Sequence, residues 1–371
     1  MISKAKRIVI KLGSSVIAGR ALSADNERQD ILPRLAEEIH LLRTKKKEPL
    51  IVSSGAIAMG MDVLGLGEKP SSIPERQAVA AIGQGRLMAR YDALFMRLGG
   101  RVAQVLFTHD DLADRKRFLN ARNTIFTLFR FGVVPVINEN DTVAVEELKF
   151  GDNDLLSALA TNLVEADLLV ILTDTCGLYD KDPSMEGACL IRLVEDIDHL
   201  DASWLGANSG ALGTGGMRSK VLAAGKAAHF GAGVVIASGF EKDVITRIIS
   251  GEDIGTFFMP KEDCFTSRKH WIAFSARPEG RVFVDDGAKR ALLKDCKSLL
   301  PSGITRVDGS FDAGEVVHCV DHEGMEFARG IVNYSSREIG LISGKKSREI
   351  EGVLGYKVYD EVIHRDNLVV L

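Results

Sequence analysis

At 371 residues, with 46% hydrophobic and 26% charged residues, the chain has room for two domains and the composition of an ordinary soluble globular protein. A formal net charge of −4 argues against a general polyanion-binding surface, and no run of about 18 apolar residues is present to span a membrane. The five cysteines (Cys176, Cys189, Cys264, Cys296 and Cys319) form no CxxC pair and no Cys/His cluster that would suggest zinc, so buried or incidental thiols in a reducing cytoplasm are expected.

The N-terminal segment MISKAKRIVIKLGSS is unlike a signal peptide, because its apolar stretch is short and interrupted by Lys11. Strand-like apolar runs then recur at Arg7–Leu12, Pro49–Ser53, Val102–Thr108, Val133–Asn138, Asp167–Thr173 and Gly233–Ala237. Between them lie amphipathic or Ala-rich stretches at Ile31–Thr44, Pro74–Leu98, Arg117–Phe131, Leu155–Glu165 and Ser219–Phe230. Strands that are nearly continuous in apolar residues and alternate with helices predict an α/β fold, a mainly parallel sheet sandwiched by helices. In such sheets ligands bind beyond the carboxyl ends of the strands, so the polar residues there are the candidates for a site.

The first strand ends in Lys11-Leu12-Gly13-Ser14-Ser15. Gly13 permits a sharp turn, and the amides after it can form an anion-binding nest with Lys11 as a fixed cation. A lysine in an apolar strand is uncommon unless paired, although at a strand end its head group can also reach solvent. Further on, VVPVINEND and FGDND place Asn138, Glu139, Asn140, Asp141, Asp152, Asn153 and Asp154 at the ends of apolar segments. Buried carboxylates and amides need partners, and such a cluster can clasp a small zwitterion, the carboxylates meeting an ammonium group and the amides a carboxylate. The same residue types are also ordinary turn formers, so two polar loops are the competing reading. Cys176 lies in TDTCGLY with nothing beside it to make it a nucleophile. The segment Gly213-Thr214-Gly215-Gly216-Met217-Arg218-Ser219-Lys220 precedes an Ala-rich helix. Its glycines allow close approach to phosphate, and Lys220 in the first turn opposes the helix dipole unless an anion is bound. A flexible surface loop is the alternative.

The alternation stops near Pro260. Short strands broken by Gly, Asp and Pro follow from Pro278, with a small helix after RVFVDD and a mixed-charge helix near Ser347–Leu354. The expected organisation is residues 1–260, a linker at 261–277, and a small β-rich domain at 278–371 with 13 Lys/Arg against 16 Asp/Glu. No GxxxxGK[ST], GxSxG or HExxH motif occurs, and His364-Arg365-Asp366 stands without the companion motifs of a protein kinase.

Taken together, KLGSS, VSSGAIAMG, FLNARNT, PVINENDTV, FGDNDLLSALA, ILTDTCGLYDKDP and GTGGMRSK resemble, in the same order, the glutamate 5-kinases of the amino-acid kinase family. The stretch from Pro278 resembles the PUA domain often appended to bacterial members. NEND followed by GDND is the specific part of this likeness, whereas Lys-Leu-Gly fits many amino-acid kinases. The resemblance implies ATP-dependent phosphorylation of the γ-carboxylate of L-glutamate, with Mg²⁺ on the nucleotide, as the first step of proline biosynthesis. It implies that Lys11, Gly13 and Lys220 handle phosphates. Thr173, Asp174 and the loop Thr214, Gly215, Gly216, Met217, Arg218, Ser219 and Lys220 would bind ATP. Ser54, Asp141 and Asn153 would hold glutamate, with Asn138 and Asp152 as neighbours, and Asp154 would organise the two lysines. It further implies feedback inhibition by L-proline, a homodimer or homotetramer, and a cytoplasmic enzyme without a membrane anchor.

A glutamate γ-carboxylate is already ionised at neutral pH, so transfer needs charge neutralisation rather than a general base. Other amino-acid kinases fit less well: acetylglutamate lacks the ammonium charge that these carboxylates would meet, and UMP would call for more basic contacts. A PUA-like tail raises RNA binding as a second class of function, against its net charge of −3.

Overall fold

The computed structural model describes residues 2–21, 28–143, 153–201, 204, 216–261, 272–273, 276–295 and 297–371. It divides into two compact units, one comprising Met1–Asp111 and Arg117–Cys264, the other Leu112–Lys116 and Phe265–Leu371. The expected linker at 261–277 falls largely outside the described residues. No described helix is long and apolar enough to cross a membrane.

The first unit opens with β1 (Arg7–Leu12), α1 (Ser14–Ala18), β2 (Arg20–Ala21), β3 (Arg28–Gln29), α2 (Leu32–Thr44) and β4 (Glu48–Ser53). The helices α3 (Ala56–Leu64) and α4 (Ile73–Arg97) follow, then β5 (Val102–Phe107), α5 (His109–Ala113) and α6 (Arg115–Arg130), of which Leu112–Lys116 belong to the second unit, and β6 (Val134–Glu139). It continues through α7 (Asn153–Leu163), β7 (Leu168–Thr173), β8 (Leu193–Val194), α8 (Met217–His229), β9 (Gly233–Ser238), α9 (Val244–Ser250) and β10 (Thr256–Phe258). The main sheet has the order β5-β6-β4-β1-β7-β9-β10-β8. From β5 to β9 every pairing is parallel, so the carboxyl ends of β6, β4, β1, β7 and β9 share one edge. Strand β10 runs antiparallel to β9, a three-residue element too short for its pattern to be read in the sequence.

The run of apolar residues in these strands has a simple cause. Strands β7 and β9 are buried along their whole length, and β1 and β4 at all but the first residue, because helices cover both faces. Ile8, Ile10, Leu12, Ile51, Val170 and Leu172 pack in one cluster with Leu35 and Ile39 of α2 and Tyr91 and Phe95 of α4. Helix α9 has no side-chain cap of its own. Instead, Glu38 of α2 accepts hydrogen bonds from the Ile245 and Thr246 amides at 2.8 and 3.0 Å, satisfying two donors at that helix start. Burial pushes the Glu38 carboxyl above its ordinary pKa, against the pull of those amides and Arg34.

The second unit contains β11 (Gly280–Val284), α10 (Asp286–Lys294), β12 (Ile304–Gly309), β13 (Val316–Val320), β14 (Glu326–Ile331), α11 (Ser336–Ile342), α12 (Ile350–Leu354) and β15 (Leu368–Val370). Its sheet has the order β12-β11-β13-β14-β15 around a separate core that includes Val282, Val317, Cys319, Ile339 and Ile363. Helix α11, not evident in the sequence pattern, starts at a capping box: Ser335 accepts from the Glu338 amide while Glu338 accepts from the Ser335 amide. Cys319 is fully buried and its thiol is pushed up to about 12, which leaves it a packing residue.

One close approach governs the region next to the strand ends. Helix α4 lies so near α3 that a Cβ on Gly83 would stand 1.8 Å from the Ala56 carbonyl oxygen and 2.5 Å from the Gly60 nitrogen. Gly85, two residues on in the same helix, has open space around it. Gly83→Ala should therefore destabilise the fold by roughly 1–3 kcal/mol or more through overpacking. Gly85→Ala should instead stabilise it by about 0.5–1 kcal/mol through helix propensity. Thermal unfolding of the two variants, with opposite shifts expected, checks the α3–α4 contact.

Candidate active site

Three charged side chains from three elements meet at the carboxyl edge of the sheet. Lys11 is the penultimate residue of the central strand β1, flanked by β4 and β7, and only 3% of it is exposed. Its ammonium pairs with Oδ1 of Asp154, in the first turn of α7 and fully buried. Lys220, in the first turns of α8 and 6% exposed, reaches Oδ2 of the same carboxylate at 3.3 Å. The Ser219 hydroxyl donates to that oxygen at 2.8 Å. The solvent-reaching alternative for Lys11 therefore does not hold: its head group is turned inward onto Asp154. Burial by itself would raise the Asp154 pKa, but the two ammonium groups and the hydrogen bonds from Lys11 and Ser219 outweigh it and hold the carboxyl below its usual range. The group is thus ionised throughout the neutral range.

Beside this cluster lies a set of amides and hydroxyls at the ends of β4 and β6. Asn153, which opens α7, donates through Nδ2 to the Ser53 carbonyl at 3.0 Å, to the Ser54 hydroxyl at 3.0 Å and to Oδ1 of Asn138 at 2.9 Å. Asn138, 3% exposed, donates in turn to Oε1 of Gln84 on α4 at 2.7 Å. Ser54, Asn138 and Asn153 are thus brought together, and Gln84 joins them without any sequence signal, as one polar residue in an amphipathic helix. Asp141 follows β6 and is half-buried; burial raises its pKa, against the opposing positive charge of Lys69. Asp152 lies outside the described residues.

On the other side, the Thr173 hydroxyl at the end of β7 donates to Asp174 at 3.0 Å. A cavity of about 430 Å³ opens here, lined by Asp174, Cys176 and Tyr179 after β7 and by Phe240, Glu241 and Lys242 after β9. The β9 side of this wall was not apparent from the sequence, where GVVIASG reads only as a strand and its end. Gly216 caps α8, Met217 is half-buried and Arg218 is exposed. Thr214 and Gly215 lie outside the described residues.

Gly13 requires a correction. Its φ of −67° and ψ of 158° are ordinary extended values, so a sharp turn is not the reason for a glycine. The reason is proximity: its amide donates to the Leu172 carbonyl at 3.1 Å, and a Cβ would sit 3.2 Å from that oxygen and 3.8 Å from the Lys11 ammonium.

The chain as a whole is similar to known proteins. A family model for the amino acid kinase family matches residues 6–238, and one for the PUA domain matches residues 280–354. A protein of Geobacter metallireducens named glutamate 5-kinase is 52% identical over 372 residues, covering 100% of this chain and 99% of its own length. A protein of the same name from Syntrophotalea carbinolica is 50% identical over 375 residues, covering 100% and 98%. A solved carbamate kinase of Giardia lamblia bound to AMP-PNP has 18% identity and a TM-score of 0.49, covering 70% of this chain and 100% of its own. The chain belongs to the amino acid kinase family, among the glutamate 5-kinases that carry a C-terminal PUA domain.

Proposed function

We propose that the chain transfers the γ-phosphoryl group of ATP to the γ-carboxylate of L-glutamate, giving L-glutamyl 5-phosphate and ADP, the opening step of proline biosynthesis. The full-length likeness to glutamate 5-kinases supports this activity. The structural observation that carries it is the buried junction of Lys11 and Lys220 on Asp154, next to the amide cluster of Ser54, Asn138 and Asn153.

The chemistry follows from charge. An ionised carboxylate oxygen attacks the γ-phosphorus, and the bond from that phosphorus to the bridging oxygen of ADP breaks, the electron pair leaving with ADP. Two anions must approach one another, so positioned cations are the main requirement. Lys11 and Lys220 supply them, and Asp154 fixes where their ammonium groups point. The Gly13 backbone brings the chain close to the transferred group, while Thr173, Asp174 and the segment from Gly216 to Lys220 hold the nucleotide. Mg²⁺ carried on the ATP phosphates would offset part of their charge; among the described residues no three His, Cys, Asp or Glu side chains converge to hold a metal ion by themselves.

Asp141 and Asn153 grip the amino-acid acceptor. A half-buried carboxylate with a raised pKa is suited to the α-ammonium group, whose charge would offset the cost of burial. L-Proline offers a carboxylate and a cationic nitrogen but no γ-carboxylate, so it would compete at this pocket without being phosphorylated. A cytoplasmic setting fits the free thiols of Cys176, Cys189 and Cys319.

Coupled measurement of ADP release with L-glutamate checks these roles. Lys220→Ala should lower kcat by about 10²–10³ with the fold retained, the scale of losing one preorganised donor; near-normal turnover would remove Lys220 from the reaction. Asp141→Ala should raise the glutamate KM with little effect on the ATP KM. Because burial lifts the Asp141 pKa, wild-type glutamate KM should rise as pH falls towards that raised value and the carboxylate takes up a proton. Asp141→Asn should bind glutamate weakly at every pH and lose that acid limb.

A further inference from the structure

The three amides next to the phosphoryl-transfer cluster are wired in one direction, and the direction is set by a single atom. The Ser53 carbonyl oxygen can only accept, so the Asn153 group 3.0 Å from it must be the amide nitrogen. That nitrogen then meets the carbonyl oxygen of Asn138 at 2.9 Å, which turns the Asn138 nitrogen to Gln84. Gln84 must answer with its own carbonyl oxygen, at 2.7 Å, and its Nε2 is left at the far end of the relay. This Nε2 is buried and meets no acceptor among the described residues. At the near end, the buried Oδ1 of Asn153 likewise meets no donor. Neither orientation is free to flip, because a reversal at any amide would put two donors or two acceptors face to face.

Buried donors without acceptors are disfavoured, and a site containing one selects ligands that supply the partner. The relay ends in a donor at Gln84 and an acceptor at Asn153, which is the complement of an α-amino acid carrying a carboxylate and an ammonium group. The two ends are not equivalent. Asn153 is the chain neighbour of Asp154, whereas Gln84 is two amides further away, on α4. The γ-carboxylate has to reach the Lys11 and Lys220 side to be phosphorylated, which leaves the α-carboxylate for the Gln84 side. The close packing of Gly83 on Ala56 fixes α4 at this point, so the neighbouring Gln84 is held against the ends of β4 and β6.

We propose that Gln84 is a specificity-determining residue whose Nε2 donates a hydrogen bond to the α-carboxylate of the amino-acid acceptor. The inference rests on the glutamate reading above and assigns a contact within it. Gln84→Glu keeps an oxygen for Asn138 and changes only the unpartnered Nε2 donor into a negatively charged acceptor. Gln84→Met removes the donor without adding charge, together with the oxygen to which Asn138 donates.

The test is calorimetric titration of the full chain and both variants with L-glutamate and with L-glutamate α-amide, which keeps the ammonium and the γ-carboxylate but replaces the α-carboxylate. ATP affinity is measured alongside as a check on folding. In both variants glutamate binding should weaken by about 10- to 100-fold, the scale of a lost hydrogen bond to a charged group. Binding of the α-amide should weaken clearly less than that of glutamate in both variants, by no more than about threefold in Gln84→Glu, and Gln84→Glu should prefer the α-amide, whose N–H₂ can donate to the new carboxylate. Equal losses for the two ligands would mean that Gln84 acts through the relay or on the γ-carboxylate, and would overturn the proposal. So would unchanged glutamate affinity in both variants. Wild-type protein that binds neither ligand would sink the glutamate reading itself, and this contact with it, before any variant is compared.

Discussion

The carboxylate of Asp154 is the constraint on which the rest of the site depends. It is fully buried, receives Lys11 from the central strand, Lys220 from α8 and a hydroxyl hydrogen bond from Ser219, and is ionised because of them. Buried ions are costly to desolvate, and apolar residues of similar volume are often as stable or more so. Removing the central carboxylate would leave two buried ammonium groups uncompensated, a loss of about 3–5 kcal/mol on the usual scale for breaking such a pair. A protein that keeps this arrangement at the carboxyl edge of its sheet gains little stability from it. In the proposed reaction, what it gains is a fixed pair of cations where two anions have to meet.

The parallel sheet supplies the geometry for that meeting. With β6, β4, β1, β7 and β9 ending on one edge, the residues following each strand are neighbours in space although far apart in sequence. The edge is divided by chemistry. Beyond β7 and β9 a cavity wall forms around Asp174 and Lys242; beyond β4 and β6 the amides cluster; β1 contributes Lys11 between them. Helix α7 joins two of these regions within its first turn, since Asn153 faces the amides and its neighbour Asp154 faces the lysines. The adjacent pair Asn-Asp thus serves two different purposes because consecutive helical residues point in different directions.

Much of this was legible in the sequence, for identifiable reasons. The central strands are buried on both faces, so they read as plain apolar runs and appear within one residue of their expected limits. Lys11 stood out because a lysine seldom interrupts such a run, and NEND and GDND stood out because acids and amides crowded strand ends. Other features left no trace. Helix α3 starts at Ala56 directly after β4, and its Ala, Gly and Met residues carry no capping signal. Gln84 looks like any polar residue on an amphipathic helix until the Ser53 carbonyl shows which way its amide is turned. Gly13 was noticed for the wrong reason, since the demand for a glycine comes from the Leu172 carbonyl across the sheet, a contact invisible in a linear chain.

In the proposed reaction the buried cations activate transfer to the γ-carboxylate of a free, zwitterionic glutamate. Hydroxylamine trapping of the acyl phosphate, run side by side with L-glutamate, N-acetyl-L-glutamate and L-aspartate in the presence of ATP, tests it most directly. ATP-dependent hydroxamate should form with L-glutamate and little with the other two, because one lacks the ammonium charge and the other is a methylene too short. Equal or greater hydroxamate from N-acetyl-L-glutamate or L-aspartate would contradict it.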